Sequence, residues 1–221
     1  EICDRHGVLL IHDEVMSGGG RTGLFLGADH WGVAPDIIAI SKGFGAGYAP
    51  LGAMIAHDRL VEPVLKGGGF MHGHTYAGNP LACAAGLAVL EEIEAGDMME
   101  NATTVGGLLK ARLGDLMQRF DFIGDVRGKG LLLAFEFVSD RRTMAPLPKA
   151  LNAHHHFVEL AYAEGLIVYS RRTRNGLEGD HFLVCPPMIT TGEQVEEIVA
   201  LLTRALNRFE EKVLPALPRS A

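Results

Sequence analysis

The sequence predicts an α/β fold, in which a mostly parallel sheet with helices is followed by a smaller α+β region. Apolar runs that end abruptly in charged residues are typical of strands in a parallel sheet. Several later segments carry apolar residues at helical spacing. Of the 221 residues, 48% are hydrophobic and 21% are charged, a balance that is ordinary for a soluble globular protein with a substantial core.

The first part of the chain is expected to form three short strands. The stretches "GVLLIHDEV" (7–15) and "PDIIAISK" (35–42) both run from apolar residues into a polar end, and "LGAMIAH" (51–57) forms the third strand. The first two are expected to be buried parallel strands whose carboxyl ends carry function. Because the chain begins with Glu1 rather than Met, and its first residues read as the end of a helix, we expect a C-terminal fragment of a longer protein.

Two helices follow the strands. The first, "NPLACAAGLAVLEEIEAG" (79–96), has Asn79 as its N-cap, Pro80 at the first helical position and Gly96 after its end. Residues 101–120 form the second helix, since their apolar side chains recur at roughly helical spacing.

The domain boundary is predicted near residue 97, where the pattern changes from α/β to α+β. Residues 1–97 form the first domain, and residues 98–221 hold an interdomain helix and a small C-terminal domain. In the latter, Thr191 and Gln194 form a capping box that opens the last helix. The other predicted elements there are strands at 131–138, 165–170 and 181–189 and helices at 147–164 and 192–210.

Charge, hydropathy and cysteine content exclude several functional classes. The formal net charge of -7 gives no basic surface for nucleic acid, and no apolar stretch approaches the length of a membrane span. The three cysteines, Cys3, Cys83 and Cys185, are scattered and odd in number, so a disulfide framework is not expected. These properties favour a cytoplasmic protein.

Asp13 and Lys42 each stand at the carboxyl end of an apolar strand, the edge at which open α/β sheets bind ligands. Lysines in general reach the surface or pair with a carboxylate. A partly desolvated lysine amine can instead form a Schiff base with a carbonyl group. The following "GFGAG" (43–47) favours the second interpretation, because glycines let backbone and cofactor approach closely.

An aspartate at the same edge has a clear role if that carbonyl belongs to pyridoxal 5'-phosphate. Asp13 would keep the pyridine nitrogen protonated, so that the ring can accept electrons from the α-carbon of a substrate. Asp13 could instead cap the start of a loop, and Glu14 could form a buried ion pair. Neither alternative explains why an acid and an amine end two adjacent apolar strands.

The stretch "LLIHDEVMSGGGRTGLFLGADHWGVAPDIIAISKGFGAGYAPLGAMIA" (9–56) strongly resembles the class III aminotransferases, pyridoxal phosphate enzymes of fold type I. The matching motifs are "DEV" after a strand, "GRTG", "PDI", "SKG" and "PLGA". Further segments resemble the family's phosphate-binding turn and helix (72–90) and its C-terminal domain (124–138 and 185–198). The resemblance covers nearly the whole chain in the family's order and looks strongest to the ω-amino-acid:pyruvate branch.

The resemblance implies roles for particular residues. Lys42 would be the Schiff-base lysine and the general acid and base, Asp13 would pair with the pyridine nitrogen, and Val15 would pack against one face of the ring. Thr75 would donate its hydroxyl to the cofactor phosphate across the interface of a homodimer. His74 is expected to contact that phosphate through its backbone, because backbone N–H groups in a turn before a helix suit an anion.

The reaction implied is transamination, in which an amino group moves from an amino acid or ω-amino donor to a keto acid such as pyruvate. Decarboxylases, racemases and aminomutases use the same aspartate and lysine on this fold, so the fold alone does not settle the reaction. The chain could also be a catalytically inactive or merely dimerising fragment, because family members are longer than this chain. Gly19 departs from the family, which usually carries an aromatic residue at that position.

A dinucleotide site receives less support. Gly18, Gly20 and Gly23 match the G-x-G-x-x-G pattern, but they do not directly follow the strand end and no convincing helix comes after them. A dehydrogenase would also have no use for Lys42 where it stands.

Metal and serine-hydrolase sites also lack support. His72 and His74 are two apart on a turn, the run 154–156 reads as a solvated helix face, and no metal-binding spacing is present. No G-x-S-x-G elbow occurs, and no oxyanion-hole signature supports a Ser41–Lys42 dyad.

Three arginines remain as candidates for substrate binding. Arg171, Arg172 and Arg174 are expected in a loop before the last strand, where the resembling family sometimes holds an arginine for the substrate carboxylate. A solvated basic loop explains them equally well. Arg127, in "VRGKG", is expected to anchor the small domain instead.

Overall fold

The computed structural model of the chain describes residues 1–173 and 178–216. It divides into two compact units, Glu1–Glu100 and Asn101–Ala221. Among the residues described, no helix combines the length and apolarity needed to cross a lipid bilayer.

The first unit contains a three-stranded sheet in the order β1-β2-β3. β1 and β2 pair in parallel and β3 runs antiparallel to β2, so the three predicted strands and the parallel pair are confirmed. The helical start of the chain is also confirmed, whereas α2 was not predicted. The elements are α1 (Ile2–His6), β1 (Ile11–Asp13), β2 (Ile37–Ile40), β3 (Ala53–Ala56), α2 (Asp58–Lys66) and α3 (Pro80–Ala95).

The strands of this unit are less buried than their apolar sequences predict. Ile11 in β1 is 60% exposed, and Ile40 is the one strand residue of the unit with a buried side chain in the described chain. The expectation of fully buried strands is therefore wrong for this chain, because few side chains of the unit pack against its sheet.

α3 begins as its sequence predicts. The Asn79 side chain accepts hydrogen bonds from the amides of Leu81 and Ala82, both at 3.1 Å, and Pro80 occupies the first turn. A Cβ built on Gly86 would lie 2.3 Å from Cδ2 of Leu51. The mid-helix glycine therefore lets α3 pack directly on the loop that follows β2.

The second unit contains an antiparallel sheet in the order β4-β5-β8-β7, with β6 paired to β5. β4 was not predicted, since its sequence "IGDVRGK" lacks an apolar alternation. The elements are α4 (Met98–Arg119), β4 (Ile123–Lys129), β5 (Leu132–Asp140), β6 (Ala145–Pro146), α5 (Ala153–Ala163), β7 (Tyr169–Thr173), β8 (Glu178–Val184) and α6 (Gly192–Lys212).

The core of the second unit is built around phenylalanine rings from strands and helices. Phe137 of β5 lies 4.6 Å from Phe182 of β8 and 4.8 Å from Phe209 of α6, measured between ring centroids. Aromatic contacts of this kind contribute about 0.5–1.5 kcal/mol each beyond the apolar area that they bury. The sheet and the helices of this unit therefore share one hydrophobic core.

Several boundaries in the second unit differ from the prediction, and the strand expected at 181–189 is β8, which ends at Val184. The helix expected from residue 147 begins at Ala153, because Asn152 takes a left-handed conformation with φ 50° after a short 3-10 turn. The strand expected at 165–170 is β7, shifted toward the C-terminus. The capping box at the start of α6 is confirmed, with Thr191 and Gln194 exchanging hydrogen bonds of 2.9 and 3.3 Å.

Candidate active site

The parallel pairing of β1 and β2 brings Asp13 and Lys42 to the same edge of the sheet. Asp13 lies opposite Ala39 in the register, and the amide of Glu14 extends the ladder by donating to the Ala39 carbonyl at 2.8 Å. Lys42 follows the last residue of β2 by two positions. A carboxylate and an amine therefore leave two neighbouring strands at their carboxyl ends, where ligands of open α/β sheets bind.

Asp13 is exposed at this edge, and its carboxylate is oriented from within its own loop. The amide of Val15 donates to Oδ1 of Asp13 at 3.0 Å. Val15 itself is half-buried. The hydrogen bond is the turn-capping contact considered from the sequence, and it leaves the Asp13 side chain at the surface of the unit.

Lys42 has a backbone conformation that the sequence does not reveal. Its φ is 47°, in the left-handed region, and it opens a 3-10 turn over Lys42–Phe44. A left-handed lysine costs about 1–2 kcal/mol, and such strain concentrates at functional sites. The turn is held by hydrogen bonds from the Phe44 amide to the Ser41 carbonyl and from the Gly45 amide to the Lys42 carbonyl, both of 3.0 Å.

Glu14 is a functional candidate that the sequence reasoning missed. Its side chain is 3% exposed, and its carboxylate accepts hydrogen bonds from the amides of Gly27 (2.9 Å) and Ala28 (2.8 Å) and from the Ser17 hydroxyl. Burial raises the pKa of Glu14, but the hydrogen bonds from Ser17, Ala28 and Gly27 outweigh burial and hold that pKa below its usual value.

The buried ion pair that the sequence left open as an alternative for Glu14 is not what the structure shows. Within the described ranges no cationic group forms an ion pair with this carboxylate, which backbone amides and one hydroxyl satisfy instead. The sequence offered one signal for this role: Glu14 comes directly after a strand and three residues before Ser17.

His74 and Thr75 lie in the segment that leads into α3, and both are exposed. The amide of Ala77 donates to the His74 carbonyl at 2.9 Å, which forms a turn over these residues. The rings of His72 and His74 meet edge to face at 5.3 Å. The Thr75 hydroxyl thus stands on an exposed turn just before a helix.

The predicted substrate arginines lie in β7, so the loop expected around them is wrong for Arg171 and Arg172, and Arg174 lies outside the described residues. The Arg172 side chain is 7% exposed and donates from Nε to Asp180 at 2.8 Å. The Arg171 guanidinium lies 5.0 Å from the Tyr169 ring and is exposed. Arg171 therefore presents its charge at the surface, whereas Arg172 is engaged within the unit.

The histidine run at 154–156 is not a solvated face throughout. The His154 side chain is 16% exposed, and its Nδ1 lies 3.0 Å from the Asp180 carboxylate. His155 and His156 are exposed, as predicted. No cluster of three or more metal-binding side chains is found in the part of the chain that the structure describes.

The donor set at the β1–β2 edge fits pyridoxal phosphate. Lys42 offers an exposed amine for an aldehyde, and Asp13 offers an exposed carboxylate for a protonated pyridine nitrogen. Gly47 leaves open space, because a Cβ built there would meet nothing within 4 Å. Lys42 and Asp13 therefore offer, at the ends of two neighbouring strands, the types of group that such a cofactor requires.

Comparison with known proteins agrees with this chemistry. The family model for class-III aminotransferases matches residues 1–206. The leucine/methionine racemase of Thermococcus litoralis is 38% identical over 210 residues, which cover 95% of this chain and 44% of that protein. The taurine–pyruvate aminotransferase of Bilophila wadsworthia is 37% identical over 219 residues, which cover 96% of this chain and 47% of that protein.

A solved structure shows the same likeness in three dimensions. An amine transaminase from an uncultivated Pseudomonas species, in its pyridoxal-phosphate-bound form, matches with a TM-score of 0.85 at 43% identity. The match covers 94% of this chain and 46% of that one. The chain spans about half the length of the curated relatives and the solved structure that it matches.

Proposed function

The chain belongs to the class III aminotransferases, and from this membership we propose that Lys42 is the lysine of a pyridoxal-phosphate-dependent transamination. The reaction would move an amino group from an amino acid or ω-amino donor to a keto acid. The observation that carries the proposal is the placement of Lys42 and Asp13 at the carboxyl ends of the parallel strands β1 and β2.

The cofactor, when bound, supplies an electron sink that stabilises negative charge on the substrate α-carbon. Lys42 would hold the cofactor aldehyde through its amine and would act as the general acid and base that moves a proton to and from the substrate. Asp13 would keep the pyridine nitrogen protonated, because a nearby carboxylate favours the charged form of that group.

The remaining residues of the proposed site bind and orient the cofactor. Val15, half-buried next to Asp13, would pack against one face of the ring. The Thr75 hydroxyl would hold the cofactor phosphate across the interface of a homodimer, and the backbone of His74 would contact that phosphate, which suits an exposed turn before a helix.

The keto acid of the proposal is pyruvate or a close analogue. The name of the Bilophila wadsworthia relative supports pyruvate as the acceptor. Of the two predicted substrate arginines, Arg171 is the better candidate for a substrate carboxylate, since Arg172 is engaged by Asp180.

The proposal includes a homodimer in the cytoplasm. Apolar side chains flank Thr75 in sequence and stand in solvent: Met71 is 92% exposed, Tyr76 82% and Leu81 79%. A second copy that covers these side chains would receive Thr75 of the first copy at the second copy's cofactor site, as the family resemblance implies. Among the described residues Cys3, Cys83 and Cys185 form no disulfide, which supports a reducing compartment.

The test uses the complete protein mixed with pyridoxal phosphate. We expect a visible absorption band of the Schiff base, and its loss in Lys42→Ala but not in the control Lys66→Ala, an exposed lysine of α2. An amine donor and pyruvate should then yield alanine. Absence of the band in the unmodified protein would overturn the proposal and favour a fragment without catalytic activity.

Racemisation is the second candidate function, because one relative is a leucine/methionine racemase. It would use the same lysine and cofactor but need no keto acid. Incubating the protein with L-leucine alone and measuring D-leucine separates the two, since a transaminase forms alanine only when pyruvate is present. Release of carbon dioxide without alanine would indicate a decarboxylase.

A further inference from the structure

We propose that Glu14 is a positioning residue of this site. Its buried carboxylate closes residues 15–26 into one compact loop, which braces the backbone at Asp13 and at Gly43, next to Lys42. The inference rests on the proposed function, because it assigns Glu14 a task toward the same lysine.

The carboxylate joins the two ends of the loop. Ser17 binds it from the start of the loop, and the amides of Gly27 (2.9 Å) and Ala28 (2.8 Å) bind it from the end. The Gly18 amide also donates to the Glu14 carbonyl at 2.9 Å. Three hydrogen bonds to one buried carboxylate fix the loop at both ends, because each bond to a charged group contributes about 1.5–3 kcal/mol.

The interior of the loop is compact as well. The amides of Gly19 and Gly20 donate to the Phe25 carbonyl at 2.9 and 3.3 Å. Nε2 of His30 lies 3.1 Å from both the carbonyl and the hydroxyl oxygen of Thr22. These contacts tie the glycines of the loop to Phe25 near its end, and Thr22 to His30 just beyond it.

The glycines of this loop lie against the Lys42 turn. A Cβ built on Gly19 would lie 3.4 Å from the carbonyl carbon of Gly43, and one built on Gly43 would lie 3.6 Å from the carbonyl oxygen of Gly18. The backbone at Gly18 and Gly19 therefore runs close to the backbone at Gly43, with room for no more than a methyl group between them. A shift of the loop would therefore displace the backbone that packs against Gly43, the residue directly after Lys42.

On its other side, Glu14 fixes the backbone of Asp13. Its amide binds the Ala39 carbonyl at 2.8 Å, and its side chain is anchored in the opposite direction by Gly27 and Ala28. The residue after Asp13 is held from both ends, so the Asp13 carboxylate leaves the strand in a defined direction. One buried side chain thus connects the acid and the amine of the site.

The Glu14 carboxylate accepts from all three donors and presents no N–H group of its own to the amides of Gly27 and Ala28. In Glu14→Gln, one carboxylate oxygen becomes an NH2 group that faces N–H or O–H donors and cannot accept from them. A displacement of about 1 Å at a distance from the chemistry can lower a rate by about 100-fold.

The experiment compares Glu14→Gln with the control Glu62→Gln in the complete protein loaded with pyridoxal phosphate. Glu62 is an exposed carboxylate of α2, so the control makes the same chemical change away from the site. We expect Glu14→Gln to form the Schiff-base band, with a shifted pH midpoint of that band and a kcat lower by about 10- to 100-fold. Glu62→Gln should match the unmodified protein in both.

Ser17→Ala is the second variant, because it removes one donor and leaves the carboxylate. We expect a shift of the band midpoint in the same direction and a smaller fall in kcat. If Glu14→Gln does not fold, as judged by circular dichroism, the Ser17→Ala variant tests the role of Glu14 in its place. A folded variant with unchanged midpoint and kcat would overturn the role of Glu14, whereas absence of the band in the unmodified protein would overturn the proposed function.

Discussion

Arg172 of β7 and Asp180 of β8 form a buried ion pair across the sheet of the second unit. Nε of Arg172 lies 2.8 Å from the carboxylate, and the two side chains are 7% and 1% exposed. Nη2 of Arg172 also donates to the Lys149 carbonyl at 3.3 Å. Arg172 therefore joins β7, β8 and the 3-10 turn before α5.

Arg172→Ala should strongly destabilise the protein. The change leaves Asp180 as a buried charge without its cation, which typically costs about 3–5 kcal/mol. Urea unfolding at pH 7 measures the loss. The control is Arg112→Ala, which removes an exposed arginine paired with Glu196 and should have a much smaller effect. Equal losses in the two variants would show that the buried pair contributes no more than a surface one.

Stability should fall as the pH drops from 7 toward 5. Burial is the largest cause that lowers the pKa of His154 below 6.5, and the charge of Arg172 is the next. His155 also lowers this pKa, whereas Asp180 raises it. Burial, then Arg127, likewise lowers the pKa of His181.

Acid destabilises the folded chain because the unfolded chain binds protons at His154 and His181 more readily than the folded chain does. The stability that the two neutral histidines contribute is complete above pH 6.5 and is lost as the pH falls through their lowered pKa values. Urea unfolding between pH 5 and 7 measures this slope, and His154→Gln should reduce it, whereas His6→Gln, at the exposed end of α1, should not. A slope that His154→Gln leaves unchanged would contradict the assignment.

Two adjacent glycines of α4 should respond in opposite ways to alanine. A Cβ built on Gly106 would lie 2.2 Å from the Gly130 carbonyl oxygen, whereas one on Gly107 would meet nothing within 4 Å. Gly106→Ala should cost about 1–3 kcal/mol by overpacking, and Gly107→Ala should gain about 0.5–1 kcal/mol in helix stability. Thermal unfolding of both variants gives the comparison, and effects of the same sign would contradict the close approach.

Asp13→Asn should separate cofactor binding from catalysis. The variant keeps the side-chain shape but loses the charge that favours a protonated pyridine nitrogen, so we expect the Schiff-base band to form while kcat falls at least 100-fold, or about 2.7 kcal/mol. Asp4→Asn, in α1 and exposed, is the control. A kcat close to that of the unmodified protein would exclude the proposed role of Asp13.

Local signals in the sequence predicted most elements of the fold. The Asn79 cap and the capping box of Thr191 and Gln194 involve residues two or three positions apart, so their side-chain chemistry is visible without the tertiary structure. β4 was missed because its glycines and charges are tolerated only through pairing with β5. The left-handed conformation of Asn152, which no apolar periodicity encodes, makes α5 begin at Ala153 and not at residue 147.

For the candidate site, the sequence by itself determined which residues carry chemistry: an aspartate and a lysine at two strand ends, with glycines after the lysine. Only the tertiary structure decided how these residues are held. The parallel register, the left-handed Lys42 and the hydrogen bonds of the Glu14 carboxylate to Gly27 and Ala28 depend on contacts between segments distant in the chain. Periodicity and spacing report on neighbours in sequence, whereas burial and hydrogen-bond partners are set by packing.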